Sequence, residues 1–339
     1  MSGAAASTSP TYADRVRGCL LGGAIGDALG GPVEFRSIEA IRREQGAAGV
    51  TGYLPAYGTL GGITDDTQMV LASVAGILAD GTDRVPDPPA GVHAAYLRWW
   101  RLQTSRPLDG GTWVDVLPLM AASRAPGNAC MSGLGSGRLA TGATPVNGDS
   151  KGCGTVMRAA PFGLLPRLDP VQAFTYAAAA SDLTHGHPTA RTSAGVLALL
   201  VRHLLDGPAL SAAVETTMGW LAEHEPADGA ETLHALRAAV EFASAGAPHT
   251  PETLARLGEG WVAEEALAIA VWCALAREHD PAQALLLAVN HSGDTDSTGA
   301  ITGNILGAAH GEVWPADWVE GNEARGAILR ASTELVAGS

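Results

Sequence analysis

Hydrophobic positions recur with a helical period along most of the chain. Val16, Cys19, Leu20, Gly23, Ala24, Asp27 and Ala28 follow i, i+3, i+4, i+7 spacing, which places them on one face of a helix. Thr11, with Asp14 three residues on, resembles a capping box for its start. The same period predicts helices near 65–80, 92–104, 113–124, 155–165, 170–181, 189–206, 209–223, 229–244, 263–277, 280–289, 297–310 and 323–336. Alternating β-branched runs are few, and none flanks an Asn-Gly turn, so strands contribute little. Residues 30–63 and the Gly/Ser/Asn-rich run 125–154 read as loops, and loops of that length inside a compact domain are usually functional. No composition shift or internal repeat divides the chain. The reading is one compact, all-α, multi-helix domain over 11–336, preceded by a small polar tail, 1–10, expected to be disordered.

Glycine is the anomaly in this pattern. Gly18, Gly22, Gly26 and Gly30 stand every four residues, as do Gly299, Gly303 and Gly307. Each glycine inside a helix costs about 0.5–1 kcal/mol relative to alanine, so the first series costs roughly 2–4 kcal/mol. Close approach of another backbone would offset that loss. The two series therefore predict tight helix packing, or two helices converging on one site.

Composition narrows the class. Of 339 residues, 46% are hydrophobic and only 17% charged, which excludes a disordered chain. With 21 basic and 35 acidic residues the net charge is −14, unfavourable for duplex nucleic acid, whose binding rests on Lys and Arg. The four cysteines are scattered without a C-x-x-C pair, against a disulfide framework or thiolate zinc site and in keeping with a reducing compartment. The first ten residues lack a basic and apolar leader pattern, and the longest charge-free apolar run, 266–276, is too short to span a bilayer. A soluble, cytoplasmic protein is expected.

Two acidic clusters carry the candidate chemistry. Thr64-Asp65-Asp66-Thr67 stands at a helix start, where a threonine cap and first-turn carboxylates are favourable in themselves. Ser292-Gly293-Asp294-Thr295-Asp296-Ser297 stands at another, and the single residue between Asp294 and Asp296 lets a turn aim both carboxylates at one centre. Four carboxylates with the Thr64 and Ser297 hydroxyls form a hard-oxygen set suited to Mg²⁺ or Mn²⁺. Without cations they would repel, and two divalent ions would balance them. Asp27, on an apolar helix face, reads as a structural carboxylate that caps amides or orients a ligand, and Glu34 as a mobile base or ligand, or by itself a surface residue. Ser150-Lys151-Gly152-Cys153-Gly154 opens a helix and offers amide donors to a phosphate, although it fits neither standard glycine fingerprint. His185 and His187 suit hydrogen bonding or capping better than metal ligation.

Taken together, the segments RVRGCLLGGAIGDALGGPVEF at 15–35, TDDTQM at 64–69, KGCGTVMRAAPFGLL at 151–165, LTHGHP at 183–188 and HSGDTDSTGAITGNILGAAHG at 291–311 resemble the ADP-ribosylglycohydrolase family, in its order and over nearly the whole chain. The resemblance implies an all-α fold with a binuclear Mg²⁺ or Mn²⁺ centre in a cleft. It implies Thr64, Asp65, Asp66, Asp294, Asp296 and Ser297 as ligands, and Glu34 on a mobile loop touching metal or ribose. It implies Ser150, Lys151, Gly152, Cys153 and Gly154 around the diphosphate, and His185 lining the ADP-ribose site. Cys153 stands where several members have asparagine, and Ser297 where many have threonine. The implied reaction releases an ADP-ribosyl group from a protein side chain or small conjugate through an oriented water, with Asp65 or Asp66, alternatively Glu34, as base. A non-catalytic, crystallin-like ADP-ribose binder and a binuclear phosphoesterase are the alternatives.

Overall fold

In the computed structural model, residues 9–108 and 110–338 are described; most of the expected tail, residues 1–8, lies outside them. Among these residues helices make up nearly all the regular structure, with a two-stranded antiparallel ribbon, Pro55–Ala56 with Thr59–Leu60, and two isolated β-bridges beside them. The first helix, Tyr12–Gly30, starts at the capping box read from Thr11 and Asp14: Asp14 N–H donates to Thr11 Oγ1 at 3.2 Å, and Thr11 N–H to Asp14 Oδ2 at 2.9 Å. Its apolar face is not a stripe. Apart from Arg17, every residue from Arg15 to Gly30 is buried, so this is a core helix enclosed on all sides.

What encloses it explains the glycines. The first helix packs antiparallel on the helix Thr295–His310, and a Cβ added at Gly22, Gly26 or Gly30 would collide with the backbone carbonyls of Gly303, Gly299 and Thr295 in turn. The reverse collisions hold for Gly299, Gly303 and Gly307. Polar ties cross the same seam: Asn304 Nδ2 donates to Cys19 O at 2.8 Å, and Thr295 Oγ1 to Gly30 O at 2.9 Å. Both sequence readings of the ladders apply, because close packing brings the C-terminal end of one helix to the N-terminal end of the other.

Around this pair lie helices close to the predicted spans, among them Asp65–Asp80, Ala90–Gln103, Pro188–Leu205 and the buried Ala263–Ala276. Two expected helices are broken. Within 113–124 only Pro118–Ala121 is helical, because the carbonyls of Leu119 and Ala122 accept from Gln68 Nε2 and that of Met120 from Gln103 Nε2. Asp115 Oδ2 meanwhile takes the amide and hydroxyl of Thr112, a local turn that competes with helix. Within 155–165 a 3₁₀ turn, Cys153–Thr155, is followed only by Ala160–Gly163. Both expected loops contain a helix: Ile38–Gln45, capped by Ser37, and Asn128–Gly135. All four cysteines are free, and among the described residues no helix is long and apolar enough to cross a membrane.

Candidate active site

The antiparallel seam sets the end of the first helix beside the starts of two others. Asp27 is fully buried, and its carboxylate accepts from the backbone N–H groups of Thr64 at 2.9 Å and Thr67 at 3.0 Å, and from the Thr67 hydroxyl at 2.5 Å. It therefore holds the N-terminus of the helix Asp65–Asp80 from outside, as the structural reading of Asp27 anticipates. Thr64 caps the same helix, its hydroxyl accepting from Asp66 N–H at 3.2 Å. Asp294 caps the helix Thr295–His310, accepting from Ser297 N–H at 3.2 Å, and that amide also reaches Asp296 Oδ1 at 3.0 Å. Each cluster is thus a true helix cap and is also aimed into the same space.

That space is a cleft of about 330 Å³ whose walls include Glu34, Asp65, Asp66, Asp294, Asp296 and Ser297. Carboxylate oxygens of Glu34, Asp294 and Asp296 lie within 4.8 Å of one another. Burial and mutual repulsion act on all of them. Burial, then the Asp296, Asp294 and Asp65 charges, push Glu34 up to about 11. Burial and then Asp296 raise Asp27 to about 7. Burial also raises Asp65, Asp66 and Asp296 well above the ordinary carboxylate range, with neighbouring aspartates adding to it, and raises Asp294.

A cluster this acidic calls for a cation, and its donors fit a hard one. Asp66 Oδ2 is buried without a hydrogen-bond partner among the described residues. The Ser297 hydroxyl lies beside the Asp294 carboxylate, with Cys153 Sγ at 3.7 Å and Met157 Sδ at 3.9 Å; it acts as a donor in these contacts, so its lone pairs remain for a cation. Carboxylate oxygens of Glu34, Asp294 and Asp296 converge there, and the Cys153 thiol donates to Asp294 Oδ2 at 2.6 Å. Oxygen donors with excess negative charge match Mg²⁺ or Mn²⁺ better than zinc.

The opposite wall departs from its sequence reading. Gly152, Cys153 and Gly154 line the cleft, but Ser150 and Lys151 do not. Lys151 Nζ pairs with Glu231 at 2.7 Å and with Glu264, outside the cleft. Cys153 N–H is spent on Trp261 O at 3.1 Å, in a short bridge between Gly152 and Val262, so it offers nothing to a phosphate. His185 lines the cleft and is buried, with Nδ1 2.8 Å from Thr184 Oγ1, while His187 caps the helix Pro188–Leu205. Neither histidine belongs to the acidic cluster.

Several lining residues carried no motif. Residues 125–130 of the long loop line the cleft, whereas 131–149 do not. Phe35, next to Glu34, is 69% exposed at φ 65° and stacks on Trp261 with ring centroids 5.3 Å apart. An exposed aromatic in the left-handed region is the kind of local strain that marks ligand sites, and only the backbone reveals it.

Known proteins resemble this chain over nearly its whole length. A profile of the ADP-ribosylglycohydrolase family matches residues 8–339. The ADP-ribosyl-[dinitrogen reductase] glycohydrolase of Rhodospirillum rubrum is 26% identical over 323 residues, covering 92% of this chain and 91% of that protein. The ADP-ribosylarginine hydrolase Tri1 of Pseudomonas putida (strain GB-1) is 27% identical, covering 91% and 74%. A solved structure titled ADP-ribosylglycohydrolase-related protein complex matches with a TM-score of 0.66 at 28% identity, over 97% of this chain and 99% of that one.

Proposed function

The chain belongs to the ADP-ribosylglycohydrolase family, an enzyme family acting on glycosidic bonds, and on that premise we propose how its cleft works. The substrate is an ADP-ribosyl group joined through the anomeric carbon of its distal ribose to an acceptor, with arginine as the first candidate because the Pseudomonas relative is named for it. The diphosphate lies along Gly152–Gly154 and His185, and the distal ribose over the acidic cluster. Thr64, Asp65, Asp66, Asp294, Asp296 and Ser297 would hold two divalent cations, Mg²⁺ or Mn²⁺, which supply charge neutralisation and a lowered pKa for a nearby water.

The chain's own groups do the rest. As the bond from the anomeric carbon to the acceptor breaks and water oxygen bonds to that carbon, the carboxylates stabilise the oxocarbenium-like centre. One carboxylate takes a proton from that water, and the departing acceptor atom takes up one proton in exchange, from that carboxyl or from solvent. The water's two hydrogens thus end on the new anomeric hydroxyl and on the acceptor. Asp66 suits the base best, since its Oδ2 is unpartnered whereas Asp65 Oδ2 accepts from Gly127 N–H at 3.1 Å; Glu34 is the alternative. The observation that carries this reading is the convergence of five carboxylates in one cleft with Gly152, Gly154 and His185. Mass spectrometry of the products of ADP-ribosyl-arginine and ADP-ribosyl-serine peptides, with each cation, tests it. Free ADP-ribose is expected; AMP would mean attack on the diphosphate, and binding without release a non-catalytic site.

A further inference from the structure

Behind the diphosphate wall sits a buried cation with no carboxylate partner among the described residues. The Arg158 guanidinium is 1% exposed and lies over the Tyr96 ring, 4.5 Å from its centroid. It donates to Thr184 Oγ1 at 2.6 Å, and its other contacts are Cys130 Sγ at 3.3 Å, Met69 Sδ at 3.4 Å and Ala180 O at 3.4 Å. Arginine has no acceptor, so the bond to Thr184 uses a hydroxyl lone pair and leaves the hydroxyl proton to be placed.

Three acceptors compete for that proton. Ser181 O is 3.5 Å away and already takes the backbone N–H groups of Thr184 and His185. Cys130 Sγ is a weak acceptor that Arg158 engages. His185 Nδ1, at 2.8 Å, is the short and strong choice. An imidazole that accepts at Nδ1 carries its proton on Nε2. That nitrogen has no hydrogen-bond partner among the described residues, although His185 is 2% exposed. It faces Gly152, where an added Cβ would sit only 3.2 Å from Nε2, so the missing side chain opens its route to the cleft.

We infer that Arg158 and Thr184 are positioning residues that hold His185 as a neutral imidazole with its Nε2–H aimed into the cleft, where it donates to an oxygen of the bound diphosphate. The inference rests on the proposed ADP-ribosyl substrate for the identity of the acceptor oxygen, but not for the tautomer. With Lys151 paired elsewhere and Cys153 N–H spent, His185 Nε2 is a side-chain donor of this wall with no hydrogen-bond partner among the described residues. The opposite tautomer would turn a lone pair towards the anion. Burial, with the Arg158 charge, holds His185 down to about 3, which keeps the ring neutral.

The test uses the full-length protein labelled with ¹⁵N-histidine, His185 being assigned from the spectrum of His185→Gln, and ADP-ribose binding by calorimetry with Mg²⁺ present. The wild type is expected to show the Nε2–H tautomer. Thr184→Val, which keeps the shape and removes the hydroxyl, is expected to mix the tautomers and weaken ADP-ribose about tenfold, raising KM more than it lowers kcat. Thr184→Ser restores both. His185→Gln, with an amide nitrogen near the place of Nε2, binds within about fivefold of wild type, whereas His185→Leu does not. An Nδ1–H or doubly protonated ring in the wild type overturns the inference, as does a Thr184→Val protein with unchanged tautomer and affinity. Should Thr184→Val not fold, the wild-type tautomer and the Gln/Leu pair decide. A wild type with the Nε2–H tautomer that ignores ADP-ribose overturns the proposed substrate and the assigned acceptor oxygen, leaving the positioning of His185 established.

Discussion

Gly22 and Gly303 each occupy the room of the other's side chain: a Cβ on either would meet the other's carbonyl oxygen. The contact belongs to the seam that joins the Asp27 end of one helix to the Asp294 end of the other, so its fit sets the spacing of the carboxylates. Gly303→Ala is expected to lower stability by about 1–3 kcal/mol, the usual cost of overpacking. Gly219→Ala, in a helix with nothing within 4 Å of the new Cβ, should instead stabilise by about 0.5–1 kcal/mol. Urea denaturation of the two variants measures both signs, and equal effects would contradict the packing account.

Cation binding and stability should be linked through pH. The folded-state pKa values of Asp27 and Glu34 lie above their ordinary ones, at about 7 against 3.8 and about 11 against 4.5. A raised carboxylate favours the fold while it stays protonated. Its contribution is full below the unfolded pKa and is lost as pH rises through the folded value. The protein in chelator is therefore expected to lose stability progressively from about pH 4 through pH 7 and beyond. Mg²⁺ or Mn²⁺ should add more to the melting temperature at pH 8 than at pH 5, with protons released on binding. Thermal scans across that range check it; a chelated protein that grows more stable towards pH 8 would sink it.

Asp66→Asn removes the unpartnered carboxylate oxygen while keeping the size of the side chain. Loss of ADP-ribose release by about a hundredfold or more is expected, in the range of a lost general base or ligand. Metal content measured on the same sample separates the two roles. A base variant keeps both cations, and a ligand variant loses one. Full activity with full occupancy would refute the assigned centre.

Lys151→Ala tests a point on which sequence and structure part. A lysine beside a glycine turn invites a phosphate role, yet its ammonium is tied to Glu231 and Glu264. ADP-ribose affinity is expected to stay within about twofold of wild type. A tenfold loss in calorimetry would return Lys151 to the binding surface.

Much of this site was written in local signals. Helix caps and metal ligands draw on the same residue types, so Thr64-Asp65-Asp66 and Asp294-Thr295-Asp296 stand out at helix starts before any folding is known. The glycine ladders announce a backbone contact, because repeated helix glycines are costly without one. Chain order alone could not say that the two ladders meet each other, or that they run antiparallel and so bring Asp27, Thr64 and Asp294 together across more than 200 residues. Nor could it show that Lys151 turns away, that Phe35 stacks on Trp261, or that Arg158 stands behind His185. Period and capping are properties of neighbours in the chain and survive in the sequence. Where a side chain points, and which partner claims its proton or charge, is settled by groups distant in sequence, and only the packed structure brings those together.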